Sequence, residues 1–192
     1  MLFRSDHIDL FGSFDAYRDA KARIYERTQV AAIFNTADEA TMHMVEGAEV
    51  IEGCRAIGIT TAIPDVSMLG VVDDMMVDRA FLDDRRNSAL ELAHINDLAI
   101  PAAHNIENAL AASALARAHG VDAKHIGMGL RAWKPAEHRI ATVATIDGVT
   151  YVDDSKATNT HAAMTSLRSY PSVVWIAGGM AKGQDFDDLV LA

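Results

Sequence analysis

The residues with the most chemistry in this 192-residue chain stand in one run, "YVDDSKATNTHAA" at 151–163. A strand-like apolar start gives way to Asp153, Asp154, Ser155, Lys156, Thr158 and Asn159, and then to small helix-forming residues. A loop between a strand end and a helix start gathers hydroxyls, a lysine and the unpaired N–H groups of a helix N-terminus, a set suited to an anionic substrate. A second loop, within "IAGGMAKGQDF" at 176–186, brings Gly178, Gly179, Lys182 and Gly183. Its glycines admit backbone close to a ligand, and its lysine supplies charge for a carboxylate or phosphate. Either loop alone is more often a solvated turn. Two of them on consecutive parallel strands favour a site, because open α/β sheets bind ligands beyond the carboxyl ends of their strands.

Three smaller constellations accompany these loops. Asp6, His7 and Asp9 precede a helix in which Lys21 lies four residues after Tyr17, on the apolar stripe. A lysine there is paired, neutral, modified, or snorkels to water over the core. The neighbouring carboxylates and imidazole would suit a hard cation. Asn105 and Asn108 share a face at the start of a helix, where asparagine either caps or contacts a ligand. His138 and Arg139 sit beside a change of pattern, where the guanidinium points either into a cleft or into solvent. The motifs G-x-x-x-x-G-K-[ST], C-x-x-C, H-E-x-x-H and G-x-S-x-G do not occur.

The elements that must position these groups follow from periodicity and punctuation. Phe14, Tyr17, Ile24 and Thr28 predict an amphipathic helix over about 14–28. "QVAAIFN" predicts a strand ending at Asn35, followed by a helix capped by Asp38, a further strand after it, and another in "CRAIGIT". "MLGVVDDMMVD" reads as a hairpin around an acidic turn. An alanine-rich helix over 104–119 stops at Gly120, and Asp122 caps the next, with Ile126, Leu130 and Trp133 on one face. After Pro135 come two strands around Asp147-Gly148, the first loop, a helix, the strand "SVVWIAGG", the second loop, and a helix starting near Asp185. That alternation predicts a parallel α/β sheet and a domain boundary near Pro135, dividing 1–135 from 136–192.

Composition narrows the class. Half the residues are apolar, enough for a sizeable core. A net charge of −10 without a basic stripe excludes a nucleic-acid backbone as partner, but leaves room for small anions held by a few local donors. The single cysteine, Cys54, cannot form an internal disulfide, so a reducing compartment is the default. The first residues have no long apolar core, which argues against a signal peptide or membrane insertion and for a cytoplasmic protein.

Taken together, "DHIDLFGSFDAYRDAK" at 6–21, "HNIENALAA" at 104–112, "HR" at 138–139, "DDSKATN" at 153–159 and "IAGGMAKGQDF" at 176–186 resemble the Mur ligases, in the family's order and over nearly the whole chain. The "DSKATN" loop is most like that of the members that add D-glutamate. The resemblance implies an α/β fold: the later part of a central ATP-binding domain over 1–135, then the first part of a Rossmann-like C-terminal domain over 136–192. It implies a cytoplasmic ligase of peptidoglycan synthesis, monomeric when full length, which uses ATP and Mg2+. The ligase joins D-glutamate to UDP-N-acetylmuramoyl-L-alanine through an acyl phosphate.

Residue by residue, the resemblance gives Thr158 and Lys182 the D-glutamate carboxylates, with Ser155 beside them. Asp154 and Lys156 line the nucleotide and substrate cleft with catalytic roles, Arg139 reaches the ATP phosphates, and Asn105 and Asn108 lie on the adenine side. His7 matches a magnesium ligand, and Lys21 matches a lysine carbamylated in the family, which would serve catalysis with it. Leu2, Phe11 and Thr160 depart from the family's usual asparagine, histidine and proline. The family's phosphate-binding loop and UDP-binding domain belong upstream of Met1, so the chain reads as an internal fragment, inactive by itself. The competing expectations are a non-catalytic nucleotide- or anion-binding module derived from such a ligase, and a relative adding another amino acid, such as a folylpolyglutamate synthase.

Overall fold

The computed structural model describes residues 8–179 and 186–190. The chain divides into two compact units, Met1–Trp133 and Lys134–Ala192. The first is built on a five-stranded sheet whose strands lie side by side in sequence order: β1 (Ala31–Asn35), β2 (Arg55–Ile59), β3 (Met68–Val72), β4 (Met75–Asp78) and β5 (Leu90–His94). β1, β2 and β3 run parallel, and β4 and β5 continue antiparallel. In β2, Ile57, Gly58 and Ile59 are all buried, the mark of a parallel strand covered on both faces. The β3–β4 turn is the expected acidic one. Asp73 and Asp74 both have left-handed φ values, 45° and 65°, the turn twist that matches two hairpin strands.

Helix α4 (Ala103–Ala118) packs on β1, β2 and β3, and its Leu110 and Ala114 are fully buried against Ile57, Leu69 and Met76. Gly120, with φ 91°, ends it as predicted. Helix α5 (Ala123–Ala132) lies so close on β5 that a Cβ at Gly127 would sit 2.5 Å from the Leu92 carbonyl. Ile126 of its apolar face is buried and Leu130 packs on the core, whereas Trp133 falls just past the helix and is exposed. The short helix α1 (Ile8–Phe11) precedes α2 (Phe14–Ala22), and α3 (Glu39–Glu46) packs on β1. Asp38 caps α3 by accepting from the Ala40 and Thr41 amides.

A buried ion pair ties α4 to the sheet. Asp78 is fully buried at the end of β4, where it accepts from the Ala80 and Phe81 amides and from Arg117 Nε at 2.8 Å. The Arg117 guanidinium also donates to the Val121 and Phe81 carbonyls. Arg55 donates to the Ala80 carbonyl and stacks 4.9 Å over the Phe81 ring. Both arginines thereby hold the 80–81 segment.

Two expectations for the elements of this unit need correction, and one of its strands was not expected. The helix predicted over 14–28 ends at Ala22 and tightens into a 3-10 turn at Arg23–Tyr25, where the Tyr25 hydroxyl donates to the Ile33 carbonyl and Thr28 bonds back to Tyr25. No strand follows α3 over 48–50, because Glu49 and Ile51 bond to Arg27 and Thr28 in a loop. β5 was not predicted: "LELAH" has only one clean alternation, and it pairs because β4 offers an open edge.

In the second unit, β6 (Ala141–Ile146) and β7 (Val149–Asp153) form the predicted hairpin, with Asp147 and Gly148 at φ 50° and 80°. Helix α6 (Thr160–Leu167) and the short α7 (Asp187–Val190) follow. The strand expected at 172–179 is not formed, and no parallel pair occurs among the described residues of this unit. A helix satisfies its own backbone, but a strand needs a neighbour, and none of the described residues pairs with that run. Its Val174 and Ile176 are almost fully exposed.

Candidate functional site

The chemistry-bearing loop leaves the end of β7, which is antiparallel to β6 rather than part of a parallel sheet. Asp153 ends β7 and Asp154 is the first residue past it, and the two carboxylates take different partners. Asp153 meets the ring of His138, Oδ2 to Nδ1 at 2.6 Å, and its other oxygen accepts from the Ser155 amide at 2.9 Å. Asp154 accepts from the Ile140 amide at 3.0 Å and from the Ser166 hydroxyl of α6. The Lys156 amide donates to the His138 carbonyl at 3.0 Å. Residues 138–140 and 153–156 are thus joined by three cross-connections, and the Asn159 side chain caps α6 by accepting from the Ala162 amide.

The electrostatics follow from these contacts. The hydrogen bond from His138, then the Ser155 amide, hold the Asp153 carboxyl down at about 2. The same hydrogen bond, reinforced by Asp153's charge, raises His138 above its ordinary value. Both groups are substantially exposed, so the pair organises the loop more than it stabilises the fold.

This geometry brings Arg139, Asp154, Ser155, Lys156 and Thr158 onto one end of the second unit. Arg139, Ser155, Lys156 and Thr158 are exposed. Among the described residues, no hydrogen bond or ion pair engages the side chains of Arg139, Lys156 or Thr158. Two cations and the Thr158 hydroxyl lie in one loop cluster leading into the N-terminus of α6, groups that suit oxyanions, while the Ser155 hydroxyl is engaged by Asp153. Asp154 departs from the picture of an open ligand, since both its oxygens already hold protein groups. Lys182 and Gly183 of the second loop lie outside the described residues. Gly178 and Gly179 are described, the latter with φ 110°, a conformation that favours glycine.

The other candidates lie in the first unit. Asn105 donates to the Ile100 carbonyl at 3.0 Å and is not the cap of α4, a position held by Ala102. Asn108 is exposed one turn further on. Lys21 is exposed rather than buried. The stripe it shares with Tyr17 faces solvent beyond that residue, with Phe14 and Ile24 exposed, and its ammonium lies 5.5 Å from the centre of the Tyr17 ring. Asp6 and His7 lie outside the described residues, and among the described residues no three His, Cys, Asp or Glu side chains cluster to hold a metal ion. An ammonium has no lone pair to offer, so Lys21 as it stands does not fit a metal.

Sequence reasoning missed the role of Asp153. Two acids in succession at a strand end signal two carboxylates with separate partners, and that signal was available. It also missed the open cleft of about 490 Å³ beside Arg55, Phe81, Arg85 and Arg117, whose residues are too far apart in sequence to form a motif. No helix among the described residues is long and apolar enough to cross a membrane.

Residues 1–116 match the model of the Mur ligase middle domain. The chain is 59% identical over 185 residues to the UDP-N-acetylmuramoylalanine--D-glutamate ligase of Streptomyces avermitilis, covering 96% of this chain and 40% of the relative. Against the enzyme of the same name from Leifsonia xyli it is 53% identical, covering 96% and 36%. The chain therefore spans about two fifths of the length of these relatives. Among solved structures, MurF from Acinetobacter baumannii superposes with a TM-score of 0.60 at 23% identity, covering 87% of this chain and 36% of that one. A likeness at that identity speaks for the fold alone.

Proposed function

Since the chain belongs to the Mur ligase family, we propose that it is part of an ATP-dependent ligase that adds D-glutamate to UDP-N-acetylmuramoyl-L-alanine in peptidoglycan synthesis. In this reading residues 1–135 belong to the central domain and 136–192 to the C-terminal domain. The observation that carries the proposal is the clasped cluster of Arg139, Ser155, Lys156 and Thr158, in which the Lys156 and Arg139 side chains have no hydrogen-bond or ion-pair partner among the described residues. The 59% identity to a D-glutamate ligase over 96% of the chain supports the choice of amino acid.

The roles follow from charge and position. Arg139 neutralises phosphate oxygens of ATP as the substrate carboxylate attacks the γ-phosphorus and ADP departs. The amine of D-glutamate then attacks the acyl carbon and phosphate leaves. Thr158 and Ser155, with Lys182, hold the D-glutamate carboxylates, and Lys156 offsets charge where they meet. Asp154 orients rather than ligates: by holding the Ile140 amide and the Ser166 hydroxyl it fixes the loop against α6. Asn105 and Asn108 are assigned to the adenine side, where the Asn108 amide is open to solvent. Mg2+ is assigned to His7 and to Lys21 only after carbamylation, which would give that side chain the oxygens an ammonium lacks.

D-glutamate-dependent release of ADP from the protein that contains this chain is the test, run against L-glutamate and other amino acids. Turnover should require D-glutamate and should drop by about two orders of magnitude or more in Arg139→Ala, the scale of removing one charge-stabilising donor. Equal turnover with a different amino acid would overturn the proposal.

A further inference from the structure

We infer that Asp153 is a positioning residue for Arg139, acting through the His138 ring that it grips at 2.6 Å. The inference rests on the anion-site reading of this loop cluster given above. Arg139 sits between two residues with left-handed backbone, His138 at φ 64° and Ile140 at φ 50°. Side-chain-bearing residues, β-branched isoleucine above all, hold such conformations only where neighbours impose them. The imposing contacts are all on this loop pair. The Lys156 amide holds the His138 carbonyl, and the Asp154 carboxylate holds the Ile140 amide, each at 3.0 Å. These two engage backbone. Of the three, only the Asp153–His138 contact joins two side chains, and it is the one whose two partners can carry opposite charges.

Asp153 is suited to the task because it is itself fixed. Its second oxygen accepts from the Ser155 amide, so the carboxylate cannot swing to follow a mobile ring. The charged groups facing His138 are Asp153 and Glu137, which favour its protonated form, and Lys156, which opposes it. The sign of the pH effect follows. His138's raised value means that the contribution of the grip is full below the ordinary histidine range and fades as pH rises through the raised value. Asp153's depressed value means that it survives acidification until pH falls toward about 2. The grip is therefore complete from weakly acidic pH to near neutrality.

The test uses the isotopically labelled chain and three readouts: backbone amide order parameters at 138–140, the titration of the His138 ring, and the affinity for pyrophosphate. In Asp153→Asn the amides should become more mobile on the fast timescale and His138 should titrate lower, toward the ordinary histidine value. Pyrophosphate binding should weaken by about two- to fivefold, the range one exposed ion pair carries. Asp153→Glu should recover part of each change, and His138→Gln should loosen the same amides if Asp153→Asn disturbs the hairpin. Unchanged order parameters and an unchanged His138 titration in Asp153→Asn would overturn the inference. Arg139→Ala is the control for the underlying reading. If it leaves pyrophosphate affinity unchanged, the anion site is refuted, while the amide mobility still decides whether Asp153 positions Arg139.

Discussion

Replacing Arg117 by methionine keeps much of the side chain's volume and removes its charge and all its donors. The structure sets the scale of the loss. Asp78 is fully buried and the Arg117 side chain is 12% exposed, so neither partner can turn to water when the other is removed. The carboxylate would keep the Ala80 and Phe81 amides but lose its counter-charge, and the Val121 and Phe81 carbonyls would each lose a donor. Breaking one side of a buried pair costs about 3–5 kcal/mol. With a urea slope of roughly 2 kcal/mol/M, the midpoint should fall by about 2 M. Urea unfolding followed by circular dichroism measures this directly. The reasoning also predicts coupling: Arg117→Met should cost clearly less in an Asp78→Asn background, where no buried charge is stranded. A loss below about 1 kcal/mol, or the same loss in both backgrounds, would refute the claim that this pair fastens α4 to the sheet.

Three further outcomes are expected. Gly127→Ala should destabilise by about 1–3 kcal/mol in thermal unfolding, because the new methyl meets backbone of β5 that cannot yield without lifting α5. Leu110→Ala should cost about 2–5 kcal/mol in the same assay, since Leu110 is fully buried where α4 meets β2 and β3. Burial, and then the charge of Asp38, raise the Tyr25 phenol above its ordinary value. Its contribution is therefore full below the ordinary tyrosine range near 10 and is lost as pH rises through the raised value. Tyr25→Phe should remove that alkaline limb from a stability–pH profile and cost about 1 kcal/mol at neutral pH.

What the sequence made legible were features with local causes. The Asp73-Asp74 and Asp147-Gly148 turns, the Asp38 cap and the Gly120 stop each depend on two to four neighbouring residues, and all formed as read. β5 and the run 173–178 show the opposite case. "LELAH" becomes a strand because β4 lies beside it, and "SVVWIAGG", a far better strand former, does not because no described neighbour does. Pairing is a property of two segments, and one segment's composition cannot report it. The candidate site divides in the same way. Ser155, Lys156 and Thr158 could be read from one loop, whereas the grip of Asp153 on His138 spans fifteen residues of chain and needed the hairpin to close it. Lys21 marks the limit of periodicity, which gave its face of the helix but not whether anything covered that face.

The side-by-side order of β1 to β5 has a kinetic consequence. Among β1 to β5, each strand pairs with the one made just before it, so none of these four pairings waits for a strand synthesised much later. Loop closures are short and the sheet can grow as the chain emerges, which favours fast assembly and limits exposure of open edges to other chains. The slow step should be the arrival of α4, whose Arg117 must find Asp78 thirty-nine residues earlier. Until it does, one face of the growing sheet stays bare.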